Sequence, residues 1–464
     1  VKEWTYNKFQ TLVKSLKIQF PSFEIPKLTI RSKTAQVPIV QGGMGVGISL
    51  SSLASAVAEN GGVGVIAANG IGMIEPDYFK DGRAANIRGF RKEIRKAREK
   101  TSGIIGVNIM LALEDFNELL TTAIEERVDV VFIGAGLPIK NLPVAQMREA
   151  DVQIVPIVSS ARATSLIFSM WKKIYNDVPD AVVVEGPKAG GHLGFKESEL
   201  ENELFSLESV VPQVVETLTQ YEKEFNRKIP VIAAGGIFSG EDMYKVMKLG
   251  AQGVQLGTRF VATDECDADI RFKEAIVNSK KEDIGIIKSP VGMPGRALIN
   301  SFLSERTEKT HKVNCPWQCL SGCQAEEANY CISLALNNAR KGNLKHGFVF
   351  VGTNAYKVNS IVPVSALMNQ LKEEFMAALF ADKKSIISDA AELIYALKGE
   401  YKSAEQRIIE LKVALTQAAN DNLNQPMTLI KKEMEKVNNK LAEIRLSITE
   451  KVREVYNISP LQLN

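Results

Sequence analysis

The sequence predicts an α/β fold: a closed (β/α)8 TIM barrel with an inserted small lid domain and a C-terminal helical hairpin. Three observations point to it. Between residues 37 and 258 one beat recurs, a short apolar run, a glycine-bearing turn, then an amphipathic stretch. Few of the runs alternate polar with apolar, as expected of parallel strands covered on both faces. Beyond residue 369 the beat gives way to apolar residues spaced by three and four, the pattern of long helices with one apolar seam.

The runs, taken in order, are Val37–Gln41, Gly61–Ala67, Ile104–Met110, Val128–Ile133, Val152–Val158, Ala181–Glu185, Pro230–Ala234 and Gly253–Leu256, eight in all. Leu50–Asn60, Phe116–Glu126 and Met243–Leu249 read as helices between them. Eight strand–helix units fit a closed barrel better than an open doubly wound sheet, although a Rossmann-like fold with miscounted strands is the competing reading. Residues 259–371 leave the beat. They hold a turn-rich loop, Ser289–Arg296, a cysteine cluster, a predicted helix Ala325–Ala339 and an apolar segment Gly347–Gly352. In the tail, Ile387, Ile394, Tyr401, Ile408, Leu411 and Leu415 form one seam. Ile430, Met434, Val437, Leu441, Ile444, Ile448, Val452 and Val455 form another, with a break at Asn420–Pro426. The expected division is 1–36 as an extension, 37–262 as the barrel, 263–371 as the lid and cysteine domain, and 372–464 as the hairpin.

Composition narrows the function classes. The 464 residues carry 57 Lys+Arg against 54 Asp+Glu, and 45% are hydrophobic, so a polybasic nucleic-acid arm is excluded as the main theme. The longest apolar stretches run about a dozen residues, too short to span a bilayer. Val1-Lys2-Glu3-Trp4 does not open into a signal-peptide apolar region. Five cysteines are too few for a secreted disulfide scaffold. The expectation is a cytoplasmic protein without a membrane span, forming a homo-oligomer through its helical tail.

Chemistry concentrates where the runs end in glycine. Gly235-Gly236 after the seventh run and Gly257-Thr258 after the eighth would be neighbours at the mouth of a barrel. There, backbone N–H groups can cradle a phosphate. Glycines that merely permit tight turns are the alternative. Gly42-Gly43-Met44 and Asn108 could meet the far part of such a ligand, with Asn108 read either as a ring-edge contact or as a satisfied core amide. His192 follows a glycine-flanked loop after the sixth run and is the candidate proton carrier, while His311 and His346 read as structural. Arg83, Arg88, Arg91, Arg95 and Arg98 form a basic stretch that could receive an acidic carrier protein, against the plainer reading of a solvated helix face.

Cys315, Cys319, Cys323 and Cys331 give the spacing C-x₃-C-x₃-C-x₇-C within 17 residues. That run suits a [4Fe–4S] cluster, tetrahedral zinc, or plain reduced cysteines, and the [4Fe–4S] reading of metal binding is favoured because the four lie in one continuous run, whereas zinc sites usually present two knuckles separated by a longer loop. Cys266 stands apart as a buried small residue.

Gln41-Gly42-Gly43-Met44-Gly45, Gly106–Met110, Ala189-Gly190-Gly191-His192-Leu193-Gly194, Ala234–Ile237 and Gln255–Arg259 together resemble the nitronate monooxygenase (2-nitropropane dioxygenase) family. That family also holds flavin-dependent enoyl-acyl-carrier-protein reductases. The resemblance spans about residues 35–300. It implies an FMN flavoprotein barrel and an oxidoreductase with His192 as its catalytic residue. It also implies FMN binding by Gly43, Met44, Asn108, Gly191, Gly235, Gly236, Gly257 and Thr258, and a flavin-covering loop at Ser289–Arg296. The cysteine run and the segments Tyr330–Ser333 and Phe350–Val358 look similar to a flavin and iron–sulfur decanoyl-acyl-carrier-protein dehydrogenase/isomerase type of bacterial fatty acid biosynthesis. The cluster ligands would then be the four clustered cysteines. The tail after about residue 372 has no match there.

The function so implied is oxidation or isomerisation of a fatty-acyl thioester on an acyl carrier protein. His192 would act as acid and base and flavin N5 as hydride acceptor, with the use of NAD(P)H left open. The alternatives are a nitronate monooxygenase acting on a small-molecule substrate with O₂, and a non-catalytic flavoprotein scaffold.

Overall fold

A computed structural model describes residues 8, 11, 12, 15, 25–308, 315, 319–321, 323, 328–382 and 384–456. All eight apolar runs are strands. They are β1 (Ile39–Gln41), β2 (Val63–Ala67), β3 (Ile104–Met110), β4 (Val130–Gly134), β5 (Gln153–Val158), β6 (Val182–Glu185), β7 (Val231–Ala234) and β8 (Gly253–Leu256). They form a closed parallel barrel in sequential order, with β8 pairing back onto β1 through Val254↔Ile39. The open-sheet alternative is thereby excluded.

Alternate residues of the strands fill the barrel. Val40, Val65, Phe132, Val155, Val183 and Ile232 belong to one buried cluster, which Leu28 and Ile30 join from a small antiparallel hairpin, Leu28–Ile30 with Lys33–Ala35. That hairpin plugs the amino-terminal end, where Leu28 lies against the first residue of β8, Gly253. Just before β6, the fully buried Asp180 carboxylate meets Arg31, Arg148 and Arg227. This closed end is built for stability, which leaves the opposite end for a ligand.

Helices α1 (Ser51–Glu59), α2 (Gly82–Lys100), α3 (Phe116–Glu125), α4 (Val144–Glu149), α5 (Ala161–Tyr175), α6 (Leu207–Phe225) and α7 (Gly240–Lys248) cover the strands. The starts of α5, α6 and α7 are set by serine caps at Ser160, Ser206 and Ser239, and the last shares a capping box with Asp242. That box explains why α7 begins three residues before the predicted Met243.

A second, three-stranded antiparallel sheet follows the barrel in sequence. It comprises β9 (Ile284–Lys288), β10 (Pro294–Leu298) and the two-residue strand Gly191–His192. Of the predicted helix Ala325–Ala339, residues 325–327 lie outside the described residues, and the helix observed is α8 (Ile332–Arg340), which follows Cys331 without a side-chain cap. The segment Gly347–Gly352 pairs with β10 only through an isolated bridge, Ala297↔Phe350.

Helix α9 (Val364–Asp382) contains the point at which the chain divides into two compact units, residues 25–375 and residues 1–24 with 376–464. The second unit is built on α10 (Lys384–Asn420) and α11 (Asn424–Tyr456). Arg407 pairs with Glu433 at 2.7 Å, Glu400 with Lys440 at 3.1 Å, and Arg445 donates to the Tyr401 hydroxyl at 2.7 Å. These pairs have a nearly constant residue sum, so the helices run antiparallel as expected. Ile387, Ile394, Tyr401, Ile444, Ile448 and Val452 are buried between them. Toward the turn, Ile430, Met434 and Val437 are only half-buried. Pro426 lies in the first turn of α11, where a missing N–H costs nothing.

Candidate active site

The carboxyl-terminal end of the barrel opens into a cavity of about 660 Å³. Asn108, Ile157, Glu185, Ala234 and Gln255 contribute from the strands, and Val291, Met293 and Phe350 from the segments that follow. Every residue named from the sequence as catalytic or flavin-binding lines this one cavity. His192 and Gly191 lie on one side, Gly43, Met44 and Asn108 on another, and Gly235, Gly236, Gly257 and Thr258 at the ends of β7 and β8.

The far wall is set by Gln41, fully buried at the end of β1. Its amide donates to Gly42 O and to Ser49 Oγ and accepts from Val65 N–H at 2.9 Å, which fixes the Gly42–Met44 turn. The turn lies so close to β3 that a Cβ on Gly43 would sit 2.4 Å from Asn108 Cβ. The Asn108 side-chain amide has no hydrogen-bond partner among the described residues and faces the cavity, so it is no satisfied core amide.

At the other end β7 and β8 are paired through Ala234↔Gln255, which brings their two turns together. Gly235 and Gly236 have φ of +94° and +86°, the left-handed region that glycine tolerates. A Cβ on Gly235 would also meet Gly186 O at 2.8 Å. Asn354 Nδ2 donates to Gly236 O at 2.6 Å, and Thr258 Oγ1 accepts from Gly352 N–H at 3.0 Å. The Thr258 hydroxyl hydrogen therefore remains available. The Gly236 and Thr258 N–H groups have no acceptor among the described residues. Two adjacent turns with free amides and a hydroxyl suit a phosphate. A free amide at Asn108 across the cavity suits a ring edge. The residues present fit a flavin mononucleotide.

His192 is placed by the second sheet. Its strand pairs with β10 through Gly295↔His192, and Leu193 N–H donates to Pro294 O at 2.9 Å. Its Nε2 lies 2.7 Å from Ser289 Oγ and its ring meets Phe350 edge-on at 5.1 Å. Burial lowers its pKa to about 4, so the imidazole is neutral at physiological pH. Beneath it, the buried Arg296 donates from Nη1 to Pro187 O and Ala189 O, both at 2.6 Å, and holds the loop that carries the histidine. His346 is exposed in a short 3-10 turn, and His311 lies outside the described residues.

Two site residues were missed by sequence reasoning. Ser289 was noted only as part of a covering loop, and its partner is 97 residues away. Glu185 was read as the end of a strand. Counting by two from Ala181 and Val183, both in the barrel core, would have aimed it at the cavity. Burial alone raises its carboxyl pKa to about 7.

The expected [4Fe–4S] cluster is overturned, and with it the metal-binding role of Cys315, Cys319, Cys323 and Cys331. All four are free and half-buried, and among the described residues no three His, Cys, Asp or Glu side chains are grouped so as to hold a metal ion. The Cys319 thiol instead faces Ser333 Oγ at 3.5 Å, and burial raises the thiol pKa of Cys319, Cys323 and Cys331. Protonated thiols are poor metal ligands. The local backbone is strapped to the end of β3, with Ser321 N–H donating to Ala112 O at 2.9 Å. Cys266 is buried, as expected.

The arginine stretch on α2 is neutralised within the chain. Arg83 pairs with Glu118, Arg88 with Asp77, Arg91 and Arg95 with Glu126, and Arg98 with Asp129. Among the described residues no helix is long and apolar enough to cross a membrane.

Comparison with known proteins agrees with this geometry. The family model described as nitronate monooxygenase matches residues 27–374. A "Probable nitronate monooxygenase" of Staphylococcus aureus (strain MSSA476) is 27% identical over 311 residues, 59% of this chain and 78% of the relative. Among solved structures, FabK from Thermotoga maritima is similar with a TM-score of 0.58 and 31% identity over 75% of this chain and 94% of its own. A nitroalkane oxidase from Streptomyces ansochromogenes has a TM-score of 0.59 and 25% identity over 75% of this chain and 98% of its own.

Proposed function

The chain belongs to the nitronate monooxygenase family, and from that premise we propose that this flavin-type oxidoreductase oxidises small alkyl nitronates with O₂. The observation that carries the reading is the size of the cavity. About 660 Å³ is within the range of a pocket for one cofactor-sized ligand with a small substrate beside it. The naming of the curated relatives and the likeness to a nitroalkane oxidase point the same way.

FMN, when bound, supplies the electron acceptor and the reaction with O₂. The amides of Gly236 and Thr258 with the Thr258 hydroxyl would hold its phosphate, and the Asn108 amide would meet its ring edge. Gly43, Met44, Gly191, Gly235 and Gly257 let it approach the backbone. Val291, Met293 and Phe350 line the cavity beside His192 and exclude water. Ser289 occupies Nε2 of His192, so Nδ1 is the nitrogen left for substrate. The neutral imidazole adds no charge to hold the anionic nitronate, whose α carbon has already lost its proton; it donates a hydrogen bond from Nδ1 to a nitronate oxygen and orients the substrate.

A second reading, oxidation or reduction of a fatty-acyl thioester, draws on the likeness to FabK and on the bond between His192 and the Ser289–Arg296 loop. One experiment separates them. Anaerobic mixing of the flavin-loaded protein with propyl-2-nitronate, or with a decanoyl or decenoyl thioester, is followed by flavin absorbance. Nitrite release is then assayed in air. Bleaching by the nitronate with stoichiometric nitrite is expected. Bleaching by the thioester alone would replace this reading with the second.

A further inference from the structure

We propose that Lys188 supplies the counter-charge of the phosphate turn: held over Gly236, its ammonium binds the phosphate of a flavin mononucleotide and makes the chain prefer that cofactor to riboflavin. The inference rests on the flavin reading of the cavity and adds to it the source of the charge.

The cradle at the ends of β7 and β8 is made of neutral donors, the amides of Gly236 and Thr258 and the Thr258 hydroxyl. A phosphate monoester carries about 1.5 to 2 negative charges at neutral pH. Amide dipoles solvate that charge without cancelling it, and a cation beside the turn adds a charge-assisted bond.

The lysine and arginine that line the cavity are Lys188 and Arg259. Arg259 is committed elsewhere. Its Nη1 donates to Phe238 O at 3.3 Å, its Nη2 to Gln370 Oε1 at 3.1 Å, and its guanidinium lies over the Phe238 ring. Lys357 lies over the rings of Phe238 and Tyr356 and does not line the cavity. The Lys188 side chain makes no ion pair and no hydrogen bond among the described residues. Its ammonium is free for a ligand.

The backbone of Lys188 is placed far more firmly than that of an ordinary surface lysine. The Pro187 and Ala189 carbonyls on either side accept from Arg296 Nη1, both at 2.6 Å. The Lys188 carbonyl itself accepts from Thr353 N–H at 3.1 Å and from Thr353 Oγ1 at 3.2 Å. The neighbours of Thr353 bond the two phosphate turns, Asn354 to Gly236 O and Gly352 to Thr258 Oγ1. Pinned in this way, the side chain leaves the backbone across Gly236. A Cβ added to Gly236 would lie 2.8 Å from Lys188 Cβ and 3.1 Å from Lys188 Cδ. The stem thus crosses the turn before its charge begins, with only Cε between Cδ and the ammonium. Pro187 and Ala189 are buried while Lys188 is exposed, so the charge stands at the solvent rim and costs little to keep there.

The test is the pair of dissociation constants for FMN and riboflavin, read by fluorescence quenching on the flavin-stripped full chain, for wild type and Lys188→Met. Both are measured at about pH 7.5, where the phosphate is mostly dianionic, in about 50 and about 500 mM NaCl. In low salt Lys188→Met should bind FMN about tenfold more weakly and riboflavin as before, and high salt should narrow the difference. Methionine keeps most of the stem over Gly236, so a loss confined to FMN reports the charge. An FMN-to-riboflavin affinity ratio equal in the two proteins would overturn the proposal, whether both constants hold or both fall together. A selective loss that salt does not narrow would overturn it too. A wild type that binds neither flavin would remove the flavin reading itself. Charge-dependent FMN binding without nitronate turnover would support the role of Lys188 and remove only the proposed substrate.

Discussion

His192 Nε2 and Ser289 Oγ lie 2.7 Å apart although 97 residues separate them in the chain. The serine is almost fully buried, and the bond leaves one ring nitrogen committed and one free. His192→Ala is expected to keep FMN while lowering the rate of substrate-dependent flavin reduction at least about 100-fold, as read by stopped-flow absorbance. Ser289→Ala removes only the orientation, a bond of about 1 kcal/mol, and should slow the same step about fivefold with FMN affinity unchanged. Equal rates in wild type and His192→Ala would take the imidazole out of the chemistry.

Two of the titratable groups lining the cavity, Glu185 and His192, pull stability in opposite directions with pH. Glu185 has its folded pKa raised to about 7 from 4.5, so its contribution is present below pH 4.5 and is lost as pH rises through 7. Glu185→Gln should thus gain up to about 3 kcal/mol at pH 8 relative to its effect at pH 4. His192 is shifted down to about 4 from 6.5, and its contribution is lost as pH falls between those values. Paired denaturant titrations at pH 4 and pH 8 check the first statement, and a pH-independent difference would contradict it.

Arg296 satisfies two buried carbonyls, Pro187 O and Ala189 O, and has no carboxylate within ion-pair reach among the described residues. Arg296→Met keeps the bulk and strands both acceptors. A loss of roughly 2–3 kcal/mol is expected in urea unfolding, together with weaker FMN binding because the His192 loop is released.

Gly235→Ala tests the phosphate cradle. At φ of +94° an alanine is strained, and its Cβ would lie 2.8 Å from Gly186 O. A strain of about 1–2 kcal/mol concentrated at the turn should weaken FMN about tenfold in a fluorescence titration, while riboflavin, which lacks the phosphate, should be affected less.

Much of this molecule is legible in its sequence, for reasons visible residue by residue. Strands buried on both faces leave unbroken apolar runs such as Val130–Gly134, and ligand-facing turns leave glycines such as Gly235 and Gly236 at their ends. The hairpin shows in the spacing of Ile444, Ile448 and Val452. What sequence hides is convergence. Ser289 meets His192 only because β10 pairs with Gly191–His192, and no local pattern announces that. Glu185 is masked because an acid after an apolar run also fits an ordinary strand end. The cysteines show the reverse error. A regular spacing fixes where thiols occur along the chain, and it does not make them point to a common centre.

The strand that carries His192 is hydrogen-bonded to β10 rather than to the barrel. Any swing of the β9–β10 sheet wide enough to let a ring slide in or out must drag the imidazole away from the mouth. On the proposed chemistry, unsealing and disarming are then the same movement, and a gaping enzyme would be an idle one.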